Sequence, residues 1–165
     1  MVFNPNERDD AHKTVSPVPC RPFEPELILI PAGEFLMGSD PAQDKLAHED
    51  EQPQQCLHLP EYYIARTPVT NAQYLAFVSA TAQPTPRHWQ DGRPSHDMHD
   101  HPVVWVTWHE AIAYCRWLFK ATGKPYGLPS EAELEKAVRG TDGRLYPWGN
   151  EWDATRCNSQ ESGLN

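Results

Sequence analysis

The stretch that most constrains this chain is Gly127-Leu-Pro-Ser-Glu-Ala-Glu-Leu-Glu-Lys-Ala-Val-Arg-Gly140, followed closely by Tyr146-Pro-Trp-Gly149. Pro129 biases Leu128 toward extended backbone. Ser130 can then cap a helix, and Glu133, three residues on, completes a reciprocal capping box. Ala132, Leu134, Ala137 and Val138 supply small or apolar positions, and the helix should end at Gly140, where a positive φ is cheap. Thr141-Asp-Gly-Arg144 reads as a turn. Tyr146-Pro-Trp-Gly149 is too stiff and bulky for a solvated loop.

Two further helices announce themselves in the same way. Thr70 with Gln73 opens one whose apolar side carries Tyr74, Leu75, Phe77 and Val78. Thr107 with Glu110 opens the other, with Ala111, Tyr114, Cys115 and Leu118 on its buried face and Gly123 as its stop. Leu27–Ile30 reads as a β-strand, turned by Pro31-Ala-Gly33 into Glu34–Gly38 as the second arm of a hairpin. Gln55–Leu59 and Tyr62–Ala65 are two short strands around Pro60-Glu61. Pro102–Trp108 reads as a buried strand running into its helix. Residues 1–26, dense in proline from Pro17 to Pro25, read as a flexible tail with extended, polyproline-like backbone, and the domain proper as 27–165.

The 165 residues suffice for one domain, and seventeen Pro with nine Gly point to loops and short elements rather than a bundle. The formal charge of −9 and the absence of a basic run argue against nucleic acid. No stretch is long enough to span a membrane, and the expected location is the cytoplasm.

The acidic stretch 40–55 has no glycine turn to gather its carboxylates and reads as a solvated connection. Ser95-His-Asp-Met-His-Asp-His101 invites a metal reading, but its spacing, just before a proline and a strand, fits a solvated, pH-sensitive loop better. Asn71, in a first helical turn, is expected to serve the backbone rather than a ligand. Cys20, Cys56, Cys115 and Cys157 show no Cys-x-x-Cys spacing and read as buried free thiols, with disulfides as the alternative.

Leu128-Pro-Ser-Glu-Ala-Glu-Leu-Glu135, Ala137-Val-Arg-Gly140 and Tyr146-Pro-Trp-Gly-Asn150 together resemble the formylglycine-generating-enzyme (sulfatase-modifying-factor) family. Ile30-Pro-Ala-Gly-Glu-Phe-Leu-Met-Gly-Ser39, Pro68-Val-Thr-Asn-Ala-Gln-Tyr-Leu-Ala-Phe77 and Pro102-Val-Val-x-Val-x-Trp108, the last continuing to Tyr114-Cys-x-Trp-Leu118, extend the resemblance in the family's order. Gly127, Ser130, Leu134 and Lys136 depart from it, standing where the family usually has Arg, Thr, Trp and Tyr.

The resemblance covers residues 27–165 and implies an irregular α+β fold related to C-type lectins, with short strands and about three helices. Some members bind copper(I) through two cysteines and oxidise a substrate cysteine to formylglycine. Those cysteines, and the Gly-Asn-Val-x-Glu-Trp and Arg-Gly-Gly-Ser phrases, belong to the second half of the family domain, which this chain does not match. The resemblance also implies a structural calcium, with Asn158, Ser159 and Glu161 at the matching positions; a turn closed by Asn and Ser side chains is the other reading of that segment.

The chain is therefore expected to be a non-catalytic binding or regulatory module that recognises a protein partner, in a prokaryotic signalling or defence setting, or to have its domain completed by a second chain or fragment. The alternative is half of a copper-dependent oxidase, active only with a C-terminal half that brings the copper cysteines.

Overall fold

A computed structural model of the protein describes residues 1–3 and 21–163. The chain divides into two compact units, Met1–Pro31 with Glu61–Pro129 and Ala32–Pro60 with Ser130–Asn165. The fold is mixed α and β, as expected, with three α-helices and two small antiparallel sheets among the described residues.

In the first unit β1 (Val2–Phe3), β2 (Leu27–Ile30), β5 (Tyr62–Ala65) and β6 (Tyr126–Gly127) form an antiparallel sheet in the order β2-β5-β1-β6. The tail expected over 1–26 is therefore not all tail. Val2 pairs with Ile64 and Gly127, Phe3 pairs with Tyr63 and Tyr126, and both side chains are buried. Two apolar residues are too few to show a period in the sequence, so only their partners reveal the strand. Pro17 and Pro19 lie outside the described residues. Near the tail's end, Phe23 packs on Trp117 at 5.0 Å between ring centres. Glu24 is buried, where its carboxylate accepts from Lys124 Nζ at 2.8 Å and from the Arg21 backbone N–H at 2.9 Å.

The expected hairpin of Leu27–Ile30 with Glu34–Gly38 does not form. Strand β2 pairs with β5, Leu27 opposite Ala65, while β3 (Gly33–Met37) pairs with β4 (Gln55–Leu59), Gly33 opposite Leu59. Each arm pairs with a later strand instead, over four residue pairs for β2 with β5 and five for β3 with β4, pairings that the local turn sequence does not signal.

Helices α1 (Asn71–Thr81) and α2 (Trp108–Thr122) carry both expected capping boxes. Gly123 ends α2 at φ 75°, and Ala82 ends α1 at φ 55°. Their inner faces meet in an aromatic core of Phe3, Tyr74, Phe77, Trp89, Tyr114 and Tyr126, closed by Val78 and Leu118. Tyr74 stacks on Tyr114 at 5.8 Å, and Phe77 meets Tyr114 edge-on at 5.5 Å. Such pairs each add roughly 0.5–1.5 kcal/mol beyond their buried area.

The second unit is built on β3, β4 and α3 (Glu131–Arg139), whose Ser130–Glu133 box is present as expected. The face that α3 buries differs from a simple apolar reading: Leu134 and Val138 are exposed, and Lys136 is buried. Lys136 Nζ donates to the Gly33 carbonyl at 2.9 Å and lies 6.0 Å from the centre of the Phe35 ring. Its neighbour in sequence, Glu135, accepts from the Gly38 N–H at 2.8 Å and from Arg139 Nη1 at 2.6 Å. Arg139 donates onward to the carbonyls of Gly38, Gly143 and Arg144. Its guanidinium thus ties the end of β3 to the turn after α3, which five fixed donors suit and a lysine would not. In the bulky turn that follows, Tyr146 and Trp148 stack at 5.5 Å, and Trp152 leans on both.

Candidate functional site

The buried strand expected over Pro102–Trp108 is absent. Pro102 forms only an isolated bridge with Thr70, and Val104 and Trp105 face solvent. Trp105 has φ 60°, a conformation that costs a bulky L residue roughly 1–2 kcal/mol, and the resulting bend breaks the alternation a strand requires. Its side chain is 79% exposed, and that of Trp108, at the head of α2, is 65% exposed. A short apolar run cannot reveal a positive φ, so no signal in the sequence could have found this feature.

Trp105 forms one wall of a groove of about 720 Å³ in the first unit. Val106, Thr107 and Glu110 continue that wall, and the segment from Pro84 to His88 faces it. The groove is mainly apolar, with Arg87, His88 and Glu110 as its charged or titratable groups. Glu110 accepts from the Thr107 N–H and hydroxyl, each at 2.7 Å, and these bonds hold its carboxyl below the usual range. It therefore stays ionised beside the indole. Burial first, and then the Glu110 charge, push the Tyr74 phenol up to about 12.

Behind the groove, Asn71 acts as expected of a first-turn amide. Its Nδ2 donates to the carbonyls of Met98 at 2.9 Å and His101 at 3.1 Å. Its Oδ1 accepts from Trp89 Nε1 at 3.1 Å. An indole N–H can only donate, which fixes the orientation of the amide. The backbone N–H groups of Asn71 and Ala72 also donate, to His101 and His99. The start of α1 thus grips the histidine-rich segment by its carbonyls.

The residues expected to bind calcium lie in the second unit. Glu161 accepts from Trp152 Nε1 at 3.0 Å, Asn158 is exposed, and Ser159 Oγ is buried without a hydrogen-bond partner. Ser159's carbonyl accepts from Ser162 Oγ at 2.7 Å. The donors are all oxygens, which suits a hard cation, and Ser159 Oγ is an unused one; a full shell of six to eight needs more than these three residues give. Among the described residues no group of three or more His, Cys, Asp and Glu side chains could hold a metal ion.

Of the thiols expected to be buried, Cys115 is, Cys157 is half-buried and Cys56 is exposed on β4; Cys20 lies outside the described residues. The Cys56 side chain projects from the outer face of a two-stranded sheet that has only one side to bury. Burial pushes the Cys115 thiol up, the opposite of what a copper(I) thiolate requires.

Among known proteins, the chain is 32% identical over 176 residues to the formylglycine-generating enzyme of Thermomonospora curvata, covering 80% of this chain and 56% of that protein. It is 33% identical to the serine/threonine-protein kinase Pkn1 of Chlamydia trachomatis, over 84% of this chain and 23% of the kinase. The solved structure of PvdO from Pseudomonas aeruginosa matches with a TM-score of 0.63 at 28% identity, over 78% of this chain and 52% of that one. The chain thus spans about half the length of PvdO and of the T. curvata enzyme. Residues 12–165 match the sulfatase-modifying factor enzyme 1-like domain. With its capped helices, its Glu135–Arg139 tie and its Tyr-Pro-Trp-Gly turn, the chain belongs to that formylglycine-generating-enzyme-like family, whose members include both enzymes and kinase-linked domains.

Proposed function

We propose that this chain is a non-catalytic recognition module that binds a protein partner along the Trp105 groove. The observation that carries the reading is Trp105 itself, a strained and solvent-facing tryptophan at the lip of a preformed, mainly apolar groove. Backbone strain at a bulky exposed residue persists where it presents a side chain for contact, and exposed tryptophans are the commonest anchors of protein interfaces. The Chlamydia relative supports the reading, since there a similar region makes up part of a serine/threonine-protein kinase. The acidic balance disfavours nucleic acid as the partner. No helix among the described residues is long and apolar enough to cross a membrane. The free thiols at Cys56 and Cys157 suit a reducing compartment and hence the cytoplasm, and the similarity to a Chlamydia kinase supports a prokaryotic signalling or defence setting.

Asn158, Ser159 and Glu161 are proposed to contribute oxygen ligands to a structural calcium, the rest of its shell coming from elsewhere in the domain or from a fragment that completes it.

A second reading is favoured by the similarity to formylglycine-generating enzymes over four-fifths of the chain. Here the chain is one half of a copper-dependent oxidase, and the two copper cysteines come from a C-terminal half.

One experiment separates them. Full-length protein is incubated with copper(I), dioxygen and a Cys-x-Pro-x-Arg peptide, and the peptide is weighed by mass spectrometry. In parallel, a photo-crosslinking residue is placed at position 88, in the groove lined by Trp105. The recognition reading expects an intact thiol and a defined crosslinked polypeptide; conversion of the cysteine overturns it.

A further inference from the structure

We propose that His96 and His99 form a two-imidazole chelate for a divalent first-row transition ion of the Zn²⁺, Ni²⁺ and Cu²⁺ class. The sequence argues against a metal here because His-x-x-His needs a helix and this stretch precedes a proline. The structure supplies the helix. His96–Met98 is a 3₁₀ turn, and His99 continues it at φ −57°, ψ −41°. In a 3₁₀ turn three residues complete one revolution, so positions i and i+3 eclipse on one face. The two imidazoles accordingly lie 5.5 Å apart between ring centres, with 31° between their planes. Two imidazoles sharing one ion at about 2.1 Å place their ring centres roughly 5 Å apart, so small χ rotations bring the nitrogens to bear.

The backbone beneath them is already fixed. The Asn71 amide and the first N–H groups of α1 hold the carbonyls of Met98, His99 and His101. Little loop entropy therefore remains to be lost on binding, a condition that favours even a two-ligand site.

Among the described residues no third His, Cys, Asp or Glu joins the pair, and the remaining coordination positions are assigned to water. Imidazole pairs select borderline ions such as zinc, nickel and copper over calcium and magnesium. The site is distinct from the oxygen ligands proposed at Asn158, Ser159 and Glu161. It does not depend on the recognition reading either.

The test is calorimetric titration of the full chain with Zn²⁺ alone and with Ni²⁺ alone, in buffer without chelator. It is repeated for His96→Ala, His99→Ala and, as a surface control, His58→Ala on β4. All three positions carry exposed or half-buried side chains, and circular dichroism checks that the variants fold. The expected result is one ion per chain, with affinity falling about tenfold to a hundredfold in either loop variant, because each removes one of two linked ligands. The control is expected to bind as the parent does. NMR of the imidazole resonances should show His96 and His99 responding first. No saturable binding overturns the proposal. So does binding that survives both loop substitutions, which would mark an adventitious ion on other histidines.

Discussion

Asn71 offers the sharpest check on how the site is held. Asn71→Asp keeps the shape and the oxygen that receives Trp89 Nε1, but replaces two N–H donors with a carboxylate oxygen facing the carbonyls of Met98 and His101. Two hydrogen bonds are lost, at roughly 1 kcal/mol each. Oxygen then faces oxygen in a site where the side chain is 1% exposed, which adds roughly 1–3 kcal/mol. The sum is about 3–5 kcal/mol, a large share of the roughly 5–15 kcal/mol that holds a domain together. Urea unfolding at fixed m-value should show the loss as a lower midpoint, and Tm should fall by about 10 °C.

The pH dependence makes the test specific. Burial against two carbonyls raises the pKa of the new carboxyl. Its penalty is therefore present at neutral pH and shrinks as pH falls through that raised value, where the protonated carboxyl can again donate. A loss below about 1 kcal/mol, or one equal at pH 7 and at pH 4, would show that the amide does not hold the histidine segment.

Three further predictions rest on single features. Lys124→Met leaves the buried Glu24 carboxylate with only the Arg21 N–H and the Tyr126 hydroxyl, and should cost about 2–3 kcal/mol, below the usual range for a broken buried pair because Lys124 is partly exposed. Burial pushes the Glu24 carboxyl up, but the Arg21 N–H and the Lys124 ammonium outweigh it and leave it net lowered. The stability it contributes is therefore full above the ordinary glutamate range and lost as pH falls through the lowered value, so the cost of Lys124→Met in chemical denaturation should fade in acid. Trp105→Gly should raise stability by about 1 kcal/mol by relieving the positive φ, while abolishing the crosslinking partner at the groove; loss of stability would show that Trp105 serves the fold. Tyr114→Phe removes a buried hydroxyl that has no hydrogen-bond partner and should be neutral or stabilising by about 1 kcal/mol, read as a Tm that does not fall.

The sequence alone settled the starts of the three helices and the glycine stops of α2 and α3. Thr70 with Gln73, Thr107 with Glu110 and Ser130 with Glu133 are signals spoken within four residues, and each formed the box that its spacing dictates. The family was legible for a similar reason: Leu128–Gly140 and Tyr146–Gly149 are short phrases whose capping and stacking contacts are made close by in the chain. Long-range pairing was decided by tertiary structure. Two residues at Val2-Phe3 become a central strand only because β5 and β6 offer them backbone partners on both sides. Lys136 is buried only because the Gly33 carbonyl and the Phe35 ring, over a hundred positions earlier in the chain, receive its ammonium. The Trp105 lip and the His96–His99 face are of the same kind. A positive φ and a 3₁₀ turn are conformations imposed by what the flanking backbone is bonded to, and residue type fixes neither of them.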